Sequence, residues 1–282
     1  MRAVKRFSSG GLSVVEYLCD SGPGDRPFTE HHRTLTLSFV RSGGFGYRHR
    51  GRSFDLVAGS VLVGHKDDEY VCTHEHVHGD DCLSFEFTPE LAGETGLASA
   101  VRPVSVVPPR PEVMILGELA QSVIDGRSDA SLDEVAWMLA GRIAGIASEP
   151  PVRPASLSSS DRRRAVTSAL WIDAQSNRPL TLERIAREAG LSPFHFLRLF
   201  SKTLGVTPHQ YLVRSRLRRA ARLLVDDGEA VTDVAMDCGF GDLSNFVRTF
   251  RRAAGVSPRA FRRLARGDRK ILQDRIGALL LG

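Results

Sequence analysis

One short pattern occurs twice between Thr181 and Arg262, and it constrains the fold of this chain more than any other feature. The first copy contains Ile185-Ala186, Ala189-Gly190-Leu191, Ser192, Phe196, Arg198, Phe200, Gly205-Val206-Thr207-Pro208 and Tyr211. The second copy contains Val234-Ala235, Cys238-Gly239-Phe240, Asp242, Phe246, Arg248, Phe250, Gly255-Val256-Ser257-Pro258 and Phe261. The offset is 49 residues from Gly190 to Gly239 and 50 from Phe196 to Phe246. The chain therefore duplicates one structural unit, with a single residue inserted in the second turn.

Each copy has the parts of a helix-turn-helix: a short helix, a glycine-containing turn, and a second helix that Ser192 or Asp242 can cap. The two phenylalanines of each copy are spaced i and i+4, so both lie on one side of the second helix and can anchor it to a core. The opposite sides are polar or basic. They carry Phe194, His195, Arg198 and Lys202 in the first copy, and Ser244, Asn245, Arg248 and Arg252 in the second.

These outward side chains match the chemistry of base recognition. Arginine can bond the O6 and N7 atoms of guanine with two hydrogen bonds, and asparagine can do the same with adenine. The plain alternative is a surface helix that carries solvated charge, but two matched copies favour DNA recognition. Thr207 and Pro208 predict the start of an intervening helix that ends at Val225. At ~1.5 Å per residue it spans roughly 27 Å, comparable with the ~34 Å between successive major grooves.

The second copy and the helix before it carry a family resemblance. The matching residues are Arg216-Leu217, Ala220, Leu223-Leu224, Val231, Val234-Ala235, Gly239-Phe240, Asp242, Ser244, Phe246, Arg248, Phe250, Gly255-Val256-Ser257-Pro258 and Phe261-Arg262. The run resembles the signature of the AraC/XylS transcription regulators over roughly residues 160 to 265. The resemblance implies an all-α, seven-helix DNA-binding domain with two helix-turn-helix units. It also implies base or backbone contacts from Phe194, His195, Arg198, Ser244, Asn245 and Arg248.

Charge divides the chain into two unlike parts. Residues 1–150 hold 14 Lys and Arg against 21 Asp and Glu, and the remainder holds 24 against 12, which gives net charges of −7 and +12. The basic part is the one with the paired motif, and basic charge supplies the salt-sensitive component of DNA affinity. Membrane or polyanion binding would also suit basic charge, but neither explains a doubled helix-turn-helix.

The remaining global features predict a cytoplasmic protein. The basic residues near Met1 precede no apolar segment of the signal-peptide type. No apolar run approaches the ~20 residues that span a bilayer, so no membrane association is expected. The four cysteines are scattered, which suits reduced thiols rather than a disulfide framework.

Residues 12 to 90 indicate short strands separated by glycine turns, with Gly43-Gly44 as one such turn. This pattern predicts an antiparallel β-sandwich or barrel. Ahead of an AraC-type module it resembles that family's cupin-like sensor domain. The chain is thus predicted to be an α+β two-domain protein: an N-terminal antiparallel, cupin-like β-barrel with packed helices, and an all-α C-terminal domain. The expected boundaries are residues 1–148, a Pro- and Ser-rich linker at 149–160, and 161–282.

The most unusual side chains lie between Tyr70 and Cys82. Strand alternation would place a set of thiols and imidazoles on one face: Cys72, His74, His76 and His78, with Cys82 arriving from the next strand. Such ligands suit Zn²⁺ or another transition metal. Three alternatives remain open, namely the floor of a pocket for an organic effector, a cysteine redox couple, and a merely solvated loop. The adjacent pair His31-His32 is interpreted as a solvated strand edge.

Apolar residues recur at helical spacing from Pro111 to Ser148. Helices with such a stripe commonly pack on their own domain, whereas in the family resembled they form a dimer contact, so a homodimer is a hypothesis. The preferred function is a sequence-specific transcription regulator. It would bind double-stranded DNA in two successive major grooves, act on RNA polymerase, and respond to a small-molecule, metal or redox effector. The alternative is a cupin-type metalloenzyme tethered to a DNA-binding module, although no catalytic residue set is identifiable.

Overall fold

The computed structural model describes residues 2–27, 29–148, 157–226, 228–268 and 270. The N-terminal part begins with β1 (Arg2–Ser9), β2 (Leu12–Cys19), β3 (Thr29–His31), β4 (Leu35–His49), β5 (Arg52–Val57), β6 (Val61–Gly64), β7 (Glu69–Thr73) and β8 (Asp80–Phe87). It continues with α1 (Pro89–Glu94), α2 (Leu97–Val101), β9 (Val106–Val107), α3 (Pro111–Ile124) and α4 (Leu132–Ala147). All the strand pairings are antiparallel.

The long strand β4 organises the sheet because it pairs on different stretches with four neighbours. Its first part lies between β8 and β6, and its second part pairs with β5 and β7. Gly43 and Gly44 lie inside this strand, so the predicted turn there is wrong. Gly43 has φ +69°, and a Cβ on it would lie 2.1 Å from the carbonyl oxygen of Gly79. Glycine is needed here because the strand bends against a neighbouring backbone.

The expected closed β-barrel is not formed by the described residues. The main ladder runs β1-β2-β8-β4-β6-β9 and does not return from β9 to β1. Helix α3 instead covers part of the sheet: Gly117 lies against the ring of Phe39, and both are part of a buried layer that continues into α4. The antiparallel sheet with packed helices was predicted correctly, whereas the cupin-like assignment remains a prediction.

The C-terminal part is helical throughout. Between residues 157 and 268, leaving out residue 227, it contains α5 (Ser159–Ala174), α6 (Leu182–Glu188), α7 (Pro193–Leu204), α8 (Pro208–Val225), α9 (Val231–Asp237), α10 (Leu243–Ala254) and α11 (Pro258–Ala265). Helix α8 has the predicted bounds, and Thr207 and Gln210 form a reciprocal capping box at its start. Most of the predicted linker and the tail from Ile271 lie outside the described residues. No helix within the described ranges is long and apolar enough to cross a membrane.

The largest hydrophobic cluster extends across both parts, and a second cluster joins the first helix-turn-helix unit to Val57 and Val77. The largest cluster runs from the sheet through α3 and α4 into the apolar side of α8 and on to Phe246 and Phe250 of α10. The apolar stripe of α3 packs inside this cluster, since its residues from Val113 to Ser122 are all buried. The stripe of α3 is therefore covered within the chain itself, and the homodimer remains a prediction.

Polar contacts reinforce the junction between the two parts. Glu118 of α3 is 2% exposed and accepts hydrogen bonds from Nε and Nη2 of Arg222 at 2.7 and 2.9 Å. Arg218 donates to the carbonyl of Arg41 at 2.8 Å and to the carboxylate of Asp173. These bonds satisfy charged groups that burial would otherwise penalise by several kcal/mol each. Helix α8 is thereby fixed to the N-terminal sheet by charge-assisted bonds as well as by apolar packing.

Candidate functional site

Local capping sets up the two helix-turn-helix units. Ser192 caps α7 by accepting from the amide of His195 at 3.4 Å, and Asp242 caps α10 by accepting from the amide of Asn245 at 2.7 Å. The turns before these helices contain Gly190 and Gly239, which have φ values of +67° and +82°. The duplicated sequence pattern therefore folds into two units with the same start signals.

The phenylalanine pairs anchor both units in the same way. Phe196 and Phe200 of α7 are fully buried with ring centroids 5.5 Å apart, and the matching pair of α10 is 5.7 Å apart. Phe200 meets Tyr211 edge-on, just as Phe250 meets Phe261 in the second unit. Each aromatic pair adds ~0.5–1.5 kcal/mol beyond its area burial, so the outward face of each helix is held at a fixed rotation.

The predicted DNA-contacting residues lie on these outward faces. Among the predicted residues, those of α7 are all exposed, namely Phe194, His195, Arg198 and Lys202, and those exposed on α10 are Ser244, Arg248 and Arg252. Asn245 is half-buried, and its Oδ1 accepts from Arg248 Nη2 and Thr249 Oγ1, both at 3.3 Å. A base edge would have to compete with these bonds for that oxygen.

Two further features of the faces were not apparent from the sequence. The ring of Phe194 is 69% exposed, and the guanidinium carbon of Arg198 lies 5.8 Å from its centroid. An aromatic ring cannot form the hydrogen bonds that read a base edge, but the Phe194 ring can support the guanidinium of Arg198. On α10, Leu243, Val247 and Arg251 line the same shallow groove as Arg248 and Arg252. The one-turn spacing of Arg248 and Arg251 is the signal that could have identified Arg251.

The five residues expected to form a Cys/His ligand set do not converge. Strand β7 ends at Thr73, so alternation stops before His74 and the next residues form a loop. His76 lines a separate cleft with Asp55 and Arg162, and its Nδ1 is buried without a hydrogen-bond partner. His78 is exposed and packs against Gly22.

A different set of side chains comes together at this end of the sheet. Cys19, His74 and Asp80 each place a donor atom within 4.8 Å of the others. His74 Nε2 lies 2.6 Å from Asp80 Oδ1, and the Cys82 thiol donates to Asp80 Oδ2 at 3.2 Å. Of the predicted ligands, Cys72 lines the adjoining cavity, where burial raises the pKa of its thiol. Cys19 and Asp80 were missed because they belong to strands that are distant in sequence.

The N-terminal part also encloses a cavity of about 580 Å³, within the ~300–1,000 Å³ typical of small-molecule sites. Polar side chains line much of it, and several are paired with one another: Tyr17 donates to Glu86 at 3.0 Å, and Tyr70 donates to Glu30. Burial and the charge of Glu86 raise the pKa of Tyr17, so its phenol stays neutral and remains a donor.

His32 belongs to this cavity rather than to a solvated edge. It is 7% exposed, stacks on the ring of Tyr70 at 4.1 Å, and lies 3.2 Å from the Tyr47 hydroxyl. Burial lowers the pKa of His32 to about 4, so the imidazole is neutral at pH 7. The interpretation of His31-His32 as a solvated pair holds for His31, which is exposed, and is wrong for His32.

Paired, capped helices with exposed basic faces define a helix-turn-helix DNA-binding region. A family described as "Helix-turn-helix domain" matches residues 185–264. The probable transcriptional regulator LumQ of Photobacterium leiognathi is 34% identical over 88 residues, which are 31% of this chain and 36% of LumQ. The transcriptional activator RhaS of Klebsiella pneumoniae is 38% identical over 92 residues, 33% of either chain. This region is therefore a helix-turn-helix domain of the AraC/XylS type.

A solved structure shows a similar extent of likeness. A probable AraC family regulator from Rhodopseudomonas palustris is 31% identical, with 38% of this chain and 99% of that chain covered and a TM-score of 0.35. The chain spans only about a third of the length of the curated relatives LumQ and RhaS. The family match does not include the N-terminal sheet, so the function of that part is addressed below.

Proposed function

We propose that this protein is a sequence-specific transcription regulator that inserts α7 and α10 into two successive major grooves of double-stranded DNA. The proposal rests on one observation: α7 and α10, which precede and follow α8 in the chain, have the same construction. Each helix has a buried phenylalanine pair on one side and an exposed basic face on the other. A rigid spacer between two such faces suits one side of a duplex, where grooves recur every ~34 Å.

The exposed side chains divide into two roles. Arg198 and Arg248 occupy equivalent positions in the middle of the exposed faces of the two 12-residue helices, and each can bond a guanine. Lys202 and Arg252 lie one turn later and suit phosphate contacts, which position the helix without reading sequence. Asp242 and Ser192 fix the helix starts and so aim these side chains.

The test begins with selection of a preferred DNA site from a random pool, followed by affinity measurements on that site and its single-base variants. Arg198→Ala or Arg248→Ala is expected to cost ~1–3 kcal/mol and to relax preference at one base position. Lys202→Ala or Arg252→Ala should weaken binding to all sequences and reduce the salt slope by about one. Lys5→Ala, an exposed charge on β1, is the matched control and should change neither quantity.

If both arginine variants lost affinity equally for every sequence, they would be phosphate contacts and base reading would lie elsewhere. A wild-type protein with no sequence preference at all would remove the regulator proposal.

We further propose that the 580 Å³ cavity holds an effector that biases DNA binding. An effector shifts an equilibrium only if it binds one state better than another. The contacts that could transmit this bias are specific. Asp81, which lies in β8 between the cavity-lining Asp80 and Cys82, bonds Arg41 at 2.7 Å, and Arg41 offers its carbonyl to Arg218 of α8. Tyr211 of the same helix donates to the carbonyl of Ala58 at 3.2 Å.

This coupling is testable without knowing the effector. Arg41→Gln removes the ion pair with Asp81 while leaving the outward faces of α7 and α10 intact. It is expected to change DNA affinity several-fold, whereas Arg52→Gln on the exposed start of β5 should not. Equal DNA affinity in Arg41→Gln and wild type would show that the cavity is not linked to α8 through this side chain.

Homodimerisation and contact with RNA polymerase remain proposals that follow from the type of domain. Because the apolar stripe of α3 is buried within the chain, a dimer would have to use another surface. Sedimentation at micromolar concentration, with and without the selected DNA, tests the dimer, and a monomer in both conditions would exclude it there. No observation favours the metalloenzyme alternative, and the curated relatives carry the names of transcriptional regulators.

A further inference from the structure

The donors Cys19, His74 and Asp80 are brought together by strand register rather than by sequence spacing. Cys19 ends β2 and Asp80 begins β8, and the two residues are direct partners in the antiparallel ladder. Direct partners have Cβ atoms ~4.5–5.5 Å apart, so the thiol and the carboxylate are neighbours on a fixed scaffold. His74 enters from the loop that connects β7 to β8.

The loop that carries His74 is held tightly against the end of β2. The amide of Gly79 donates to the carbonyl of Ser21 at 2.8 Å, and a Cβ at Gly79 would lie 2.7 Å from the carbonyl oxygen of Cys19. On its other side, Gly79 meets the bend of β4 at Gly43. The close backbone approach fixes where His74 and Asp80 can place their donor atoms.

The donor atoms are also oriented before any ligand arrives. His74 and Asp80 have side chains that are only 8% and 9% exposed, and they face each other at 2.6 Å. The thiol of Cys82 bonds the second oxygen of Asp80, which leaves the first oxygen pointing at His74. Hydrogen bonds of this kind to a coordinating carboxylate are the usual support around metal ligands.

We propose that Cys19, His74 and Asp80 bind one divalent transition metal ion of the zinc class. A thiolate, an imidazole and a carboxylate are the three ligand types that zinc accepts, at ~2.3, ~2.0 and ~2.1 Å. Those bond lengths place tetrahedral donors ~3–4 Å apart, which is compatible with three donor atoms that all lie within 4.8 Å of one another. On binding, the Cys19 thiol releases its proton to water.

The site keeps one coordination position open. The three donors line a cavity of about 110 Å³ that adjoins the larger one, with Tyr17, Phe45 and Cys72 also in its wall. Zinc sites with three protein ligands normally bind water or a small ligand at the fourth position. The metal would therefore face the smaller cavity, next to the one in which the effector is proposed. A metal site goes beyond the regulator function proposed above.

The test uses the full-length, untagged protein after removal of metals with a chelator. Co²⁺ is added as a spectroscopic substitute for zinc, and zinc affinity is measured by competition with a coloured chelator. Wild type is expected to bind one ion per chain with a thiolate-to-cobalt absorption band. Cys19→Ser should abolish that band, and His74→Gln or Asp80→Asn should lower zinc affinity at least about tenfold.

Two variants serve as controls within the same region. Cys72→Ser removes another thiol of the cavity wall, and His78→Gln removes an exposed imidazole of the same loop; both should keep affinity within about twofold. Circular dichroism and the zinc-induced rise in Tm separate ligand loss from misfolding, because a folded variant that lacks a ligand keeps its apo Tm and loses the rise.

Absence of stoichiometric metal in wild type, or a zinc affinity of Cys19→Ser and His74→Gln equal to that of wild type, would overturn the proposal. Loss of binding in Cys72→Ser comparable to that in Cys19→Ser would show that the ligand set is wrong. DNA binding is measured on the same samples but is not required for either outcome. A chain that binds metal and shows no DNA preference would refute the regulator function and leave the metal site standing.

Discussion

The contact between Glu118 and Arg222 gives the sharpest prediction about how the two parts of the chain are joined. Glu118 has a side chain that is 2% exposed, whereas the Arg222 side chain is 42% exposed. Breaking a fully buried pair costs ~3–5 kcal/mol, and an exposed pair contributes ~0–1 kcal/mol. Because Arg222 can regain water and Glu118 cannot, the expected coupling energy lies between these limits, at ~2 kcal/mol.

A double-mutant cycle measures that coupling. Arg222→Met leaves a buried carboxylate with Arg218 as its nearest remaining cation at 3.7 Å, and it should cost ~3 kcal/mol. Glu118→Met should cost ~1–2 kcal/mol because the freed guanidinium is partly solvated. The double variant should cost ~2–3 kcal/mol, which is less than the sum of the two single losses by the coupling energy, since apolar side chains can replace a buried pair without leaving an unpaired charge.

Urea denaturation followed by circular dichroism and tryptophan fluorescence provides the assay. Because the core is continuous from the sheet to α10, both signals should report one transition in wild type and in the double variant. Arg219→Met, an exposed arginine on the same helix, is the control and should change stability by less than ~0.5 kcal/mol. A coupling energy below ~0.5 kcal/mol would refute the idea that this pair holds α8 to α3.

Three further predictions concern stability. Burial lowers the pKa of His32 from 6.5 to about 4, so on acidification the unfolded chain takes up a proton at a higher pH than the folded chain. The folding stability is therefore fully present above pH 6.5 and should fall by about 2 kcal/mol at pH 5. The variant His32→Gln should abolish this loss, and a loss that persists in the variant would contradict the assignment to His32. Gly117→Ala should destabilise the protein by ~1–3 kcal/mol because its Cβ would lie 2.4 Å from the Phe39 ring. Gly145→Ala, which has open space on α4, should stabilise it by ~0.5–1 kcal/mol. Changes of the same sign in the unfolding free energies of the two variants, measured by urea denaturation, would contradict this. Asp242→Ala should cost ~0.5–2 kcal/mol through loss of the α10 cap and weaken DNA binding, and an unchanged midpoint would show that the cap is dispensable.

The C-terminal region could be predicted closely because its signals are local. Thr207 and Pro208 determine where α8 begins, no glycine or proline interrupts it, and the observed bounds are the predicted ones. The phenylalanines of α7 and α10 repeat at i and i+4, so the buried and exposed faces follow from helix geometry alone. Helix α5 likewise begins at a local signal, because Ser158 caps it by accepting from the amide of Asp161.

The N-terminal region was predicted less well because its decisive contacts are non-local. Strand alternation from Tyr70 onward assumed a strand that in fact ends at Thr73, so the histidines beyond it point in different directions. The donors that do meet depend on the pairing of β2 with β8, and neither strand encodes its partner's register. Gly43-Gly44 has the composition of a turn, and only the approach of Gly79 shows that it is a bend within a strand.

The sequence alone determined the bounds of α8, the caps of α7 and α10, and which faces of those two helices are turned outward. Each of these features depends on residues within a few positions of one another. Tertiary structure alone decided that α3 is buried between the two parts, that Glu118 of α3 is bonded to α8, and that Cys19, His74 and Asp80 lie together. These features arise when distant segments exclude water from the same space, and the free energy of that burial depends on which surfaces meet.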